Sequence, residues 1–181
     1  PDKNWDWEYI SGFVNLDWNL IKDNPDKNWN WSYISLNSNI TLDIIQSNPD
    51  KNWDWDCISR NPSMSWDVII NNPDKPWDWY GISQNPNITW DIIRNNPDKS
   101  WYWKNISCNP IITTDIITNN PDKSWYWRGI SQNPNLTLKF IEDNIHKIDF
   151  KYLSDNLFSY HPFFQSTAYR KKITVERCSK I

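Results

Sequence analysis

The chain has 181 residues, with 15 tryptophans, 12 prolines, only 3 glycines and a formal charge of −3. No run approaches the roughly eighteen apolar residues a membrane helix needs, and an aromatic content of 16% is too sticky for a solvated coil. A charge so close to neutral gives no reason to expect nucleic acid as a partner. The opening Pro1 reads as the start of a fragment or trimmed product. Three distant cysteines, Cys57, Cys108 and Cys178, make no disulfide framework and read as free thiols of a reducing compartment. His146 and His161 have no partner at zinc spacing, so neither a metal nor a cofactor is expected.

From its first residue the chain repeats itself. Pro1, Pro25, Pro49, Pro73, Pro97 and Pro121 stand 24 residues apart, each followed by Asp-Lys. A second series at the same spacing, Pro62, Pro86, Pro110 and Pro134, marks the middle of the last four units, so that each unit reads as two halves. In the first half, Asn4, Asn28, Asn52, Pro76, Ser100 and Ser124 occupy the expected helix cap, where Asn and Ser accept a backbone N–H and Pro fits a first turn. Two tryptophan columns follow, Trp5 to Trp125 and Trp7 to Trp127, then an isoleucine column from Ile10 to Ile130. The second Trp and the Ile, three apart, share a helix face. In the second half, Asp17, Thr41, Ser65, Thr89, Thr113 and Thr137 are all cap-forming residues. Asp43, Asp67, Asp91 and Asp115 then meet the positive end of the helix dipole, and Ile21 to Ile141 never vary.

Most halves run into a proline, which the preceding residue meets by leaving the α region. That leaves about seven helical residues per half, too few to be stable alone in water. Such helices persist only by stacking on neighbours. A strand reading competes, because Trp-Asp-Trp and Ile88 to Ile92 alternate with period two. The cap series and the scarcity of glycine favour helices. The predicted fold is therefore all-α: a solenoid of six 24-residue repeats over 1–144, each made of two short helices.

Residues 1–144 carry 12 basic and 19 acidic residues, a net −7, whereas 145–181 carry 7 and 3, a net +4. The seventh unit is shorter and places Phe150 where Trp is expected. Residues 145–181 thus read as a degenerate repeat and C-terminal cap. Its basic cluster, Arg170, Lys171, Lys172, Arg177 and Lys180, reads as a solvated last helix.

A catalytic constellation occurs once in a chain, held in one pocket. Here the paired carboxylates recur with the repeat, and no phosphate loop, nucleophile elbow or metal motif is present. The Asn-x-Ser/Thr triplets at Asn30, Asn39, Asn87, Asn105 and Asn135 fall at repeated turn positions and read as turn residues rather than glycan acceptors. The functional expectation is a non-enzymatic protein–protein interaction scaffold. Its partner surface is sought where units differ inside a constant frame, at Tyr80, Tyr102 and Tyr126, with Tyr102 and Tyr126 as an exposed aromatic pair on adjacent repeats. The alternatives are a carbohydrate-binding protein using tryptophan faces and a virion structural protein.

The run Asn-Pro-Asp-Lys-x-Trp-Asp-Trp-x-x-Ile-Ser-x-Asn-Pro-Asn-Ile-Thr-Trp-Asp-Ile-Ile resembles the tandem repeat proteins of giant DNA viruses of the mimivirus type. Lys147 to Asn156 is similar to a wider repeat of the same viruses. The resemblance covers residues 1 to about 158 and recurs six times; Lys139 and Phe150 depart from it. It implies a short-helix solenoid, a host or viral protein as partner, and residence in the host cytoplasm or the virion. It brings no catalytic residue.

Overall fold

The computed structural model describes residues 5–153. Among them lie thirteen short helices and no strand, with helix starts about 12 residues apart. The first-half helices are α1 (Trp7–Ile10), α3 (Trp31–Leu36), α5 (Trp55–Arg60), α7 (Trp79–Ile82), α9 (Trp103–Cys108) and α11 (Trp127–Ile130). The second-half helices are α2 (Trp18–Asp23), α4 (Leu42–Ser47), α6 (Trp66–Ile70), α8 (Trp90–Asn95), α10 (Thr114–Asn119) and α12 (Leu138–Asp143); α13 (Phe150–Leu153) follows. The chain divides into two compact units, Pro1–Tyr102 and Trp103–Ile181. No helix among the described residues is long and apolar enough to cross a membrane.

All six second-half caps fall where the sequence places them. Asp17, Thr41, Ser65, Thr89, Thr113 and Thr137 each accept a backbone N–H from the first turn. At the other end, Asn24, Asn48, Asn72 and Asn96 donate their side-chain amide to the carbonyl four residues back, at 2.8–3.0 Å. Lys139, which breaks the acidic pattern, instead pairs with Asp143 one turn on.

The first-half caps lie two residues later than expected, and Asn4 falls outside the described residues. Asp6, Asn30, Asp54 and Asp78, between the two tryptophans, accept the first-turn N–H; Asn28, Asn52 and Pro76 do not cap. The reason is the first tryptophan. In the second repeat its backbone N–H turns back to Lys27 O at 2.9 Å and its indole N–H reaches Asn24 O at 2.8 Å, which holds Trp29 in a turn before the helix. The same indole bond recurs at Trp53, Trp77, Trp101 and Trp125. The helices are consequently four to six residues long rather than seven.

Within the first unit, α3 packs on α5 and α5 on α7; within the second, α9 packs on α11. Three columns make the joints. The second tryptophan of one repeat meets the first of the next edge to face: Trp7 with Trp29, Trp31 with Trp53, Trp55 with Trp77, Trp79 with Trp101, and Trp103 with Trp125, at 5.0–5.3 Å. A buried serine hydroxyl of one repeat then accepts the backbone N–H of the next repeat's cap residue. Ser11 serves Asn30, Ser35 serves Asp54, and Ser59 serves Asp78, at 2.9–3.0 Å. Beneath both lie buried isoleucines that are 0–1% exposed, Ile34, Ile58 and Ile82 in the first unit and Ile106 and Ile130 in the second. Full burial of such a side chain contributes about 1.5–3 kcal/mol.

The third column is a ladder of buried asparagines. Asn61 donates to Ser35 O, Asn37 O and Ile40 O of the repeat before it, at 2.9, 2.7 and 3.2 Å. Asn85 does the same to Ser59 O, Asn61 O and Met64 O, at 2.9, 3.1 and 3.0 Å. In the second unit Asn133 reaches Ile112 O at 2.8 Å. Each side-chain carbonyl accepts the N–H two residues on. Asn39, Asn87 and Asn135 also bond to carbonyls of the preceding repeat, and Asn30 caps α3, so these Asn-x-Ser/Thr residues carry the backbone roles expected of them.

Of the C-terminal cap expected over 145–181, the described part holds α13, with Ile148 and Leu153 buried. The basic cluster from Arg170 to Lys180, His161 and Cys178 lie outside the described residues.

Candidate functional site

The frame occupies the Trp, Ser, Asn and Ile columns, so a binding surface must come from positions the frame does not use. Tyr80 is the second residue of α7, its N–H bonded to Asp78 Oδ1 at 2.8 Å. Tyr102 sits at the cap position of the following repeat, its N–H held by Ser83 Oγ at 2.9 Å. Their rings meet edge to face at 5.5 Å and an interplanar angle of 86°. They are 41% and 48% exposed, so this is an aromatic pair with an open face. Tyr126 belongs to the second unit and is half-buried; its N–H bonds to Ser107 Oγ, and Lys104 Nζ lies 5.6 Å from its ring centre. The geometry thus joins Tyr80 with Tyr102 within one unit. Tyr126 takes a cap position without making a side-chain cap bond.

Among the described residues, one cluster of metal-capable groups lies in the first unit. Ligand atoms of Asp54, Asp56 and Cys57 lie within 4.8 Å of one another. All three are engaged locally. Asp54 accepts from Cys57 N–H at 3.2 Å and from Ser32 Oγ at 2.6 Å. Asp56 is ion-paired with Arg60. Burial, then the neighbouring Asp54 carboxylate, push the Cys57 thiol up to about 11. For Asp54 the largest single influence, burial, pushes its pKa up. The Ser32 hydroxyl and the Cys57 N–H outweigh it and hold the carboxyl below its ordinary range. The cluster therefore reads as a helix cap and an ion pair. Exposed Asp-Lys neighbours repeat down the chain at Asp50, Asp74, Asp98 and Asp122, each carboxyl lowered first by its bond to the following lysine.

The second unit holds a small cavity of about 220 Å³ beside Ile117, Trp125, Trp127, Phe140 and Lys147. Lys147 Nζ stands 4.7 Å from the Trp127 ring, and the Trp127 ring stacks on Phe140. In the first unit, a more open apolar concavity of about 510 Å³ is formed by the first repeat, among Trp5, Trp7, Tyr9, Phe13 and Leu20. The repeat pattern does not mark that face, yet the chain carries one signal for it. Phe13 stands in the column that Asn37, Asn61, Asn85, Asn109 and Asn133 fill.

No family model matches the chain, and no curated protein or solved structure matches it either.

Proposed function

We propose that the chain is a helical solenoid that works as a non-enzymatic protein–protein interaction scaffold, of the kind its resemblance to giant-virus repeat proteins implies. The partner, host or viral, would dock in the host cytoplasm or on the virion. The observation that carries this reading is the Tyr80–Tyr102 pair: two aromatic rings in contact on adjacent repeats, each with an open face and a backbone N–H held by the frame. Tyrosine supplies large contact area at low entropic cost, which suits an interface.

The carbohydrate reading needs flat indole faces open to solvent. The indoles of Trp29, Trp101 and Trp125 are instead packed, each with its N–H already bonded to an Asn carbonyl. A virion component would use the same tyrosines and differ only in where the partner sits.

The test is purification of the tagged full chain from the cells that produce it, beside a Tyr80→Asp/Tyr102→Asp variant. Both substitutions are compatible with the frame, because Asp56 and Asp78 occupy the equivalent positions one repeat earlier. The proposal expects a protein retained by the parent chain and lost from the variant, with helical circular dichroism unchanged. An identical set of co-purified proteins from both would overturn it.

A further inference from the structure

The residue after the second tryptophan reaches across to the next repeat. Asn30 Nδ2 donates to Glu8 Oε1 at 3.5 Å, Ser32 Oγ donates to Asp54 Oδ2 at 2.6 Å, and the Tyr80 ring meets that of Tyr102. In the second unit this column turns basic, with Lys104 and Arg128 where Glu8 and Asp56 stand in the first. Each cation lies on a tyrosine of the following repeat. Lys104 Nζ is 5.6 Å from the centre of the Tyr126 ring, and Arg128 Cζ is 4.0 Å from that of Tyr152. Both rings are half-buried, and both cations are exposed.

Neither cation has an acid to answer it. Lys99 and Lys123 pair with the aspartate before them and Lys139 with Asp143, whereas Lys104 and Arg128 make no ion pair among the described residues. In the third repeat Asp56 pairs with Arg60 one turn on; the residues at that distance from Lys104 and Arg128 are Cys108 and Gln132, which offer no carboxylate. A guanidinium stacked on a ring keeps its in-plane N–H groups for a carboxylate, and an ammonium beside a ring keeps donors of its own. The helices that carry the two cations, α9 and α11, pack on one another, so the charges recur at a helix spacing of about 8–10 Å. A polyproline II chain brings every third residue to one face, about 9 Å apart, and its prolines suit tyrosine rings.

We propose that Lys104, Tyr126 and Arg128 form a docking strip for a partner segment in the polyproline II form that carries a carboxylate at every third residue. Charge argues against two other occupants. Residues 154–181 of the chain itself hold five basic and two acidic residues, which would set like charge on like. A nucleic acid strand would bring its phosphates to a chain whose net charge is −3. The inference stands apart from the Tyr80–Tyr102 pair, which lies in the first unit and is left intact by the test.

The experiment is fluorescence anisotropy of a labelled peptide of repeated Glu-Pro-Pro, titrated with the full chain, beside the same peptide with Gln for Glu and a labelled oligothymidine. The proposal expects saturable binding of the acidic peptide that weakens with added salt, and no binding of the neutral one. Lys104→Glu/Arg128→Glu gives the column the charge it has at Glu8 and Asp56, and should weaken binding at least about 10-fold. Where that variant loses its helical circular dichroism, Lys104→Gln/Arg128→Gln is read in its place. Tyr126→Asn, with the residue that Asn30 places in that column, should weaken binding without a change of charge. Lys22→Glu, at an exposed position of α2, should bind as the parent does. No binding of the acidic peptide, equal binding of the neutral one, or tighter binding of oligothymidine would overturn the proposal. So would full affinity in the Lys104/Arg128 or Tyr126 variant, or an equal loss in Lys22→Glu.

Discussion

Asn85→Ala tests whether the buried asparagines hold the repeats together. The side chain is fully buried and makes four bonds: three from Nδ2 to Ser59 O, Asn61 O and Met64 O, and one from Asn87 N–H to Oδ1. Not all four partners are stranded by its loss. Asn61 O also accepts Met64 N–H at 2.9 Å, and Met64 O keeps a longer bond from Asn87 Nδ2. The exposed cost falls on Ser59 O and Asn87 N–H. At about 1–3 kcal/mol for each buried group left unpaired, the variant should lose about 2–6 kcal/mol. A chain of this size loses about 2–4 °C in Tm per kcal/mol, so a drop of at least about 4 °C is expected in thermal circular dichroism. Asn95→Ala, at an exposed position in α8, is the control and should stay within about 0.5 kcal/mol of the parent. Asn85→Asp should be worse than alanine at neutral pH, because a carboxylate facing three carbonyls can donate to none. If Asn85→Ala falls no further than Asn95→Ala, the ladder reasoning is wrong.

Gly81→Ala places a Cβ 2.5 Å from Asp56 O and 2.8 Å from Ser59 Cβ, so it should cost about 1–3 kcal/mol in urea denaturation. Gly12→Ala, with no atom nearer than 3.5 Å outside its own neighbours, should be tolerated. Asp54, whose carboxyl is held below its ordinary range, contributes stability that is complete above that range and is lost as pH falls through its lowered value. Denaturation midpoints from about pH 6 to about pH 3 should decline, and Asp54→Asn should flatten the decline, since Asn30 caps α3 without titrating. With Cys57 pushed up to about 11 and buried, and Cys108 exposed, iodoacetamide at mildly alkaline pH should label Cys108 first in a Cys178→Ser background. Labelling of Cys57 at an equal rate would show that its thiol is not held as described.

The second-half helices are legible in the sequence because their caps and their isoleucines obey local rules. Thr89 and Ile93 need no knowledge of the neighbouring repeat to be placed. The first-half caps are not legible, because Asn28 and Asn30 are equally good cap residues. What decides between them is the Trp29 indole, tied to Asn24 and set against Trp7 of another repeat. The serine and asparagine columns are plain as columns, but a polar residue next to a proline reads as turn chemistry. Only the carbonyls of the preceding repeat reveal Asn61 and Asn85 as buried donors. Tyr80 and Tyr102 are visible as departures from the frame. That their rings touch is not, since one lies inside a helix and the other before one.

The ladder bonds all point one way along the chain. Asn61 reaches back 21 to 26 residues, and Asn85 reaches back by the same intervals to the repeat that Asn61 itself belongs to. During synthesis from the amino end, the acceptors for each amide leave the ribosome before the amide does. A growing chain therefore meets a finished template at every step, and assembly can follow translation repeat by repeat without waiting for the far terminus.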